Sequence, residues 1–290
     1  MADSRLRDKL RRREFFVAPG VFDAISTLLA ARVGFDAVYA SGYWLTASYL
    51  GLPDAGLATY TDMLDRVSMV VRKSSAPVIA DADTGFGGLL NVHHTVRGYE
   101  GAGVAAIQIE DQEFPKKCGH TPYRRVIPVE DMVSKIRVAV QARSTPDFLV
   151  IARTDARTGN GLAEAIDRGR AFVAAGADVV FLESLESDEE MRLACRSIPA
   201  PMLANMADGG RTPIRSKQEL IELGYACAIF PSMAALAACA AMRAAMLNLR
   251  ATGSSKSPDI PLFDFDEFCR IIGFEEVWAF EEKWQRDLNK

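Results

Sequence analysis

The chain is 290 residues long, 49% hydrophobic and 25% charged, enough for a full core in one large domain or two small ones. Its 34 basic against 38 acidic residues leave a net charge of −4, which argues against nucleic acid or an anionic membrane surface as partner. No apolar run reaches the ~18 residues of a membrane span, and five scattered cysteines (Cys118, Cys195, Cys227, Cys239, Cys269) form no disulfide framework, so a reducing, cytoplasmic setting is expected.

Residues 1–13 carry Arg5, Arg7, Lys9, Arg11, Arg12 and Arg13, interrupted by Asp3 and Asp8 and lacking the apolar stretch of a secretory signal. They read as a solvated first helix, with an organellar transit segment as the alternative. Short apolar, β-branched runs then recur at 15–19, 37–41, 77–83, 105–111, 148–154, 179–183, 201–205 and 227–231, the pattern of strands buried on both faces of a parallel sheet. Between them lie stretches of helical period at 22–33, 61–73, 91–102, 130–142, 162–175, 188–197, 216–223 and 233–250. In the first, Phe22, Ile25, Leu28 and Leu29 share a face; Thr59 or Thr61 opens the second and Asn91 the third as N-caps. Several close at a glycine (Gly34, Gly103, Gly176, Gly224), as helix C-termini do.

Eight strand–helix units predict an α/β fold, a (β/α)8 TIM-type barrel over 1–250. A doubly wound sheet would more often open with a glycine-rich phosphate loop, and here the first strand ends only in Pro19-Gly20. Residues 251–261 read as a linker. The aromatic segment after it (Phe263, Phe265, Phe268, Phe274, Trp278, Phe280, Trp284), within a helical tail over 251–290, must bury its face on its own barrel or on a neighbouring subunit.

In such a barrel the active site lies at the C-terminal strand ends, and polar residues gather there: Ser41-Gly42, Asp81 and Asp83, Glu110-Asp111, Arg153-Thr154-Asp155, Glu183, Asn205 and Ser232. Asp81 and Asp83, two apart on a strand, point to one face. With Glu110 beside them they repel unless a cation intervenes, and all-oxygen donors suit Mg2+, or Mn2+, better than zinc. The alternative is that one of them bonds loop amides or an arginine. Arg153 is placed to grip a substrate carboxylate in a bidentate fork, or else to neutralise the acidic cluster. Asn205 and the amides near Ser41-Gly42 offer further contacts, and Glu183 one to a cation or water.

The glycine- and proline-bearing segment 114–123 reads as a loop after strand four, placed to close over the site. Lys116 and Lys117 beside Cys118 would lower its thiol pKa and make it an acid or nucleophile. His120 either assists or orients the loop. His93 and His94 have no metal-ligand spacing to Cys118 and read as structural; the other four cysteines read as core fillers.

The segments Lys116-Lys117-Cys118-Gly119-His120, Ile109-Glu110-Asp111-Gln112, 80–87 (ADADTGFG), 151–156 (IARTDA) and 203–206 (LANM) resemble the signature motifs of the isocitrate lyase/phosphoenolpyruvate mutase superfamily, in order over roughly residues 17–240. The resemblance implies a Mg2+-dependent barrel handling 2-oxo or 2-hydroxy carboxylates, whose lyase branch cleaves a C–C bond by a retro-aldol step. It implies that Asp81, Asp83 and Glu110 hold the metal, partly through water, with Asp54 nearby. Ser41, Gly42 and Tyr43 would bind the α-carboxylate, and Arg153, Glu183 and Asn205 would complete the pocket. Cys118 would protonate the leaving fragment, and Tyr39 matches a strand-two tyrosine near the substrate hydroxyl. The loop cysteine speaks against a phosphonate mutase. The length resembles the short lyases for 2-methylisocitrate or 2,3-dimethylmalate, with an oxaloacetate hydrolase or decarboxylase as alternative. Glu183 is preceded by Leu182 and followed by Ser184, and the run 207–213 (ADGGRTP) is nearer the dimethylmalate branch. The superfamily also implies a homotetramer with the C-terminal helix swapped between subunits.

Overall fold

The structure, a computed structural model, describes residues 3–121 and 123–288. Its strands in chain order are β1 (Phe16–Val21), β2 (Val38–Ala40), β3 (Val78–Asp81), β4 (Ala106–Glu110), β5 (Leu149–Thr154), β6 (Val179–Leu182), β7 (Leu203–Asn205) and β8 (Cys227–Phe230). Each falls inside or within two residues of an apolar run in the sequence. All pair in parallel in the order β6-β5-β4-β3-β2-β1-β8-β7, and a parallel bridge from Val180 to Met202 joins β6 to the start of β7. Eight parallel strands thus form the (β/α)8 barrel expected from the alternation.

The helices are α1 (Arg5–Arg12), α2 (Ala24–Val33), α3 (Gly42–Leu50), α4 (Tyr60–Lys73), α5 (Leu89–Gly101), α6 (Val129–Ala142), α7 (Ala156–Asn160), α8 (Leu162–Ala174), α9 (Asp188–Ser197), α10 (Lys217–Leu223), α11 (Met233–Thr252), α12 (Phe265–Ile271) and α13 (Phe274–Leu288). Thr59 caps α4 and Ser216 caps α10 through capping boxes, which fixes both starts. Asn91 is not the cap of α5: Gly88 holds that place and the Asn91 side chain reaches back to its N–H at 3.1 Å. In α2 the buried residues are Thr27 and Ala30, while Ile25 is exposed. Small residues sit where this helix meets its neighbours, so the bulky stripe does not mark the packed face. α3 and α7 were not anticipated.

Alternation along the strands sorts the buried residues into two cores. Val38, Ala80, Ile107, Val150, Val180 and Ala228 face the helices. Phe16, Ala18, Tyr39, Ile79, Leu149, Ile151, Val179, Phe181, Leu203, Cys227 and Ile229 fill the barrel itself. Leu6 of α1 is fully buried among the latter, so α1 is not the solvated helix its charge suggests. Its cations bind residues just ahead of the strands: Arg7 donates to Asp178 at 2.8 Å, Lys9 pairs with Asp36 at 2.9 Å, and Arg5 donates to the Ser75 carbonyl at 3.1 Å. The helix therefore closes the N-terminal end of the barrel.

The chain divides into two compact units, residues 1–235 and 236–290. The second holds most of α11 with α12 and α13, and leaves Phe263, Phe265, Trp278, Phe280 and Trp284 exposed. Cys239 is exposed too and Cys195 is half-buried, so of the four cysteines read as core fillers only Cys227 and Cys269 are buried. Among the described residues no helix is long and apolar enough to cross a membrane.

Candidate active site

The period of two that fills the barrel continues out of its C-terminal end and there turns polar. Tyr39 is followed on the same face by Ser41, Ile79 by Asp81, Gln108 by Glu110, Ile151 by Arg153, Phe181 by Glu183 and Leu203 by Asn205. The six end residues are all at most 9% exposed. A ring of paired charges therefore sits on an apolar floor.

Arg153 is its hub. Its Nε and Nη2 donate to Asp155 at 2.9 and 3.0 Å, Nη1 lies 3.2 Å from Glu110, and Nη2 lies 3.3 Å from Glu183. The Phe181 ring lies beneath the guanidinium at 5.1 Å. The fork foreseen for a substrate carboxylate is thus taken by Asp155, two residues along. Burial opposes charge on Asp155, yet Arg153 and then Arg124 hold its pKa below the ordinary value. Asn205 Nδ2 donates to Glu183 Oε2 at 2.9 Å and Ser184 N to Glu183 Oε1 at 2.6 Å. Ser184 has a φ of +62°, a strained backbone stored at a strand end.

The acidic group is arranged differently from the same-face pair read in the sequence. β3 ends at Asp81, and Asp83 lies in the following turn at φ +49°, its N–H donating to Asp81 Oδ1 at 3.0 Å. Asp81 also accepts from Gly42 N at 3.3 Å and Gln108 Nε2 at 3.4 Å. A Cβ on Gly42 would stand 2.8 Å from Asp81 Oδ2, so any larger residue there would have to displace the carboxylate. Lys116 is buried between Asp54, in direct contact, and Asp83 at 2.6 Å. Burial disfavours its charge, but Asp83 and Asp54 hold the ammonium protonated. Burial raises the Asp83 pKa to about 7 against the pull of Lys116, and raises that of Glu110 well above the usual range against the pull of Arg153.

Among the described residues no three acidic, histidine or cysteine groups converge on one metal position. The donors nonetheless fit a hard divalent cation reached partly through water. Asp81, Asp83 and Glu110 are buried oxygen donors, burial makes charge costly on Asp83 and Glu110, and Glu110 Oε1 is buried with no hydrogen-bond partner.

The loop after β4 is folded onto this ring. Cys118 N donates to the Asp54 carbonyl at 3.2 Å, Ser184 Oγ to the Gly119 carbonyl at 3.1 Å, and Gln112 exchanges two bonds with the Lys117 backbone. A Cβ on Gly119 would collide with the Arg153 guanidinium and stand 2.9 Å from Glu183 Cγ. The half-buried Cys118 has its pKa raised, not lowered: burial dominates, Asp54 adds to it, and a backbone hydrogen bond at His120 opposes it. Lys116 is turned to Asp54 and Asp83 and does not stabilise a thiolate. His120 Nε2 lies 3.8 Å from Glu183 Oε1 and its ring abuts Gly210.

Ser41 opens α3 without a side-chain cap bond, and Leu45 N is the first amide to find a carbonyl in that helix. The amides of Tyr43 and Trp44 ahead of it have no carbonyl partner within the helix. Tyr43 is 39% exposed and packs edge-on against Trp44 at 5.0 Å. The Tyr39 hydroxyl donates to Gln108 Oε1 at 3.0 Å, beneath the ring. His93 and His94 lie on α5 at the surface, His94 against Tyr60, apart from the site. Sequence reasoning passed over Gln108, Arg124 and the clasp of Asp155 on Arg153; the R-x-D spacing across the end of β5 was the signal for the last.

The family of phosphoenolpyruvate phosphomutase matches residues 6–250. The chain belongs to this family, within the isocitrate lyase/phosphoenolpyruvate mutase superfamily. It is 45% identical over 281 residues to 2,3-dimethylmalate lyase of Eubacterium barkeri, covering 97% of both chains. It is 44% identical over 271 residues to 2-methylisocitrate lyase of Aeropyrum pernix, covering 93% of this chain and 87% of the other. A solved oxaloacetate acetylhydrolase in complex with 3,3-difluorooxalacetate superposes with a TM-score of 0.91 at 34% identity, covering 96% and 95%. With these relatives the chain is a carbon–carbon lyase of the superfamily.

Proposed function

We propose that the chain splits a 2-hydroxy dicarboxylic acid of the 2,3-dimethylmalate type between C2 and C3, releasing a 2-oxo acid and a second carboxylic acid. The observation that carries this is Cys118, a thiol kept neutral by burial on a loop seated against Arg153 and Glu183. In a retro-aldol cleavage a strand-end carboxylate takes the C2 hydroxyl proton, the C2–C3 electron pair moves to C3, and C3 then needs a proton. A protonated thiol above the ring supplies it. The Tyr43 amide at the opening of α3, with Ser41 and with Gly42 allowing close approach, binds the carboxylate of the 2-oxo acid half. Arg153, Glu183 and Asn205 form the wall on which the second fragment rests, and the seated loop excludes water from the carbanion. Asp81, Asp83 and Glu110, with Asp54 beside them, would hold Mg2+, or Mn2+, which when bound supplies positive charge to the oxygens of the 2-oxo acid.

The run 207–213 (ADGGRTP) and the 45% identity to 2,3-dimethylmalate lyase support a dicarboxylic over a tricarboxylic substrate. The exposed aromatic tail is read as the surface that a second copy covers, in a homotetramer. Incubation with Mg2+ and each of 2,3-dimethylmalate, 2-methylisocitrate and oxaloacetate tests the substrate. Pyruvate and propionate from the first is the expected result. Acetate and oxalate from the third, with neither hydroxy acid cleaved, would replace this reading by an oxaloacetate hydrolase, which the likeness to oxaloacetate acetylhydrolase supports.

A further inference from the structure

Just past the loop that carries Cys118 stands Arg124, whose side chain is only 2% exposed. Its three nitrogens have three separate partners. Nε donates to the Thr121 carbonyl within the loop at 3.1 Å, Nη2 to Thr158 Oγ1 of α7 at 2.8 Å, and Nη1 contacts Asp155 Oδ1. That same Oδ1 accepts from Arg153 Nη2, the atom against which Gly119 of the loop is packed. Asp155 is fixed from behind as well, its N–H donating to Asp111 Oδ1 at 2.9 Å. One carboxylate oxygen thus serves the arginine at the foot of the loop and the arginine at the centre of the ring.

From this we infer that Arg124 is a positioning residue for the reaction: it latches the Cys118 loop down and, through the shared Asp155, sets the orientation of Arg153. A guanidinium is needed because the three partners lie along its rigid fork, which a single ammonium cannot span. With Arg124 in place Asp155 is shared between two cations and Arg153 is held in plane; without it the loop loses its anchor at Thr121 and Asp155 is free to swing with Arg153. The inference rests on the assignment of Cys118 as proton donor for its kinetic part. Loop seating itself can be read without any turnover.

The test uses the full-length protein carrying Arg124→Gln, with Thr158→Val as a milder second variant outside the ring. Cys118 is alkylated with iodoacetamide and the peptide quantified by mass against the exposed Cys239. Arg124→Gln is expected to raise Cys118 labelling about tenfold relative to Cys239, the factor carried by one lost charge-assisted hydrogen bond. On whichever acid the wild type cleaves, kcat should fall about a hundredfold with KM changed far less, as for a misplaced catalytic group. Added guanidinium should restore part of the loss. Thr158→Val should shift both readouts the same way by a smaller factor, and it decides alone if the Gln variant does not fold. Wild-type labelling of Cys118 in the folded variants would overturn the latch whatever the substrate proves to be. A fall in kcat with no change in labelling would equally overturn it.

Discussion

Replacing Cys118 by serine keeps the size of the side chain while exchanging a thiol for a hydroxyl that gives up its proton far less readily. The variant is expected to lose roughly 10²–10⁴-fold in kcat, the contribution of a positioned general acid, and to keep the wild-type thermal midpoint because a half-buried loop atom is altered. Wild-type turnover in Cys118→Ser would remove the thiol from that role. The thiol must be protonated to act and burial raises its pKa, so its loss of activity with rising pH begins above the ordinary thiol range. The two neighbouring lysines suggested the opposite sign, because adjacency in sequence does not say where a side chain points. Lys116 turns away to two buried carboxylates, which need its charge more than a neutral thiol does. Arg153 was legible as a strand-end cation but not as a group clasped by Asp155, since a bidentate pair depends on side-chain geometry at the strand end.

At the scale of elements, α1 is the clearest case where charge hides packing. Its basic residues bind the starts of the β-strands while Leu6 descends into the barrel among Phe16, Leu149 and Cys227. Leu6→Ala should therefore cost about 2–5 kcal/mol in urea unfolding, the range for emptying a buried leucine site. The kcat of the folded fraction should not change, because α1 and the charged ring close opposite ends of the cylinder. A loss below about 0.5 kcal/mol would mean a surface helix after all. The eight strands were legible because a strand buried on both faces must be apolar at nearly every position. α3 was not: Gly42–Leu50 is apolar around most of its circumference, with neither a polar stripe nor a side-chain cap to announce it. Yet it is α3 that leaves the Tyr43 and Trp44 amides without carbonyl partners in the helix and turns the Gly42 amide onto Asp81.

For the molecule as a whole, the alternation that builds the barrel also builds the candidate site, since on six of the eight strands the inward position beyond the apolar layers becomes one member of the polar ring. Which residues line the site could therefore be read from the strand ends; how their charges pair could not, because that depends on the loops folded over them. Burial in the two cores has a consequence for stability as well. Burial pushes the thiols of Cys227 in β8 and Cys195 in α9 from their ordinary 9.0 up to about 12, for Cys195 against a hydrogen bond with Tyr225. Below pH 9 both states keep these protons and nothing is lost. Above it the unfolded chain releases them and the native chain does not, so native protein binds more protons and stability falls as pH rises toward the folded value, by about 1.4 kcal/mol per pH unit for each thiol. Urea unfolding between about pH 8 and pH 11 should follow this decline. In Cys227→Ala the curve should be flatter by one thiol's share, even though the lost sulfur lowers stability at every pH. An unchanged slope in that variant would mean that Cys227 ionises in the native barrel as readily as in the unfolded chain, and that the strand interior is wetter than its packing implies.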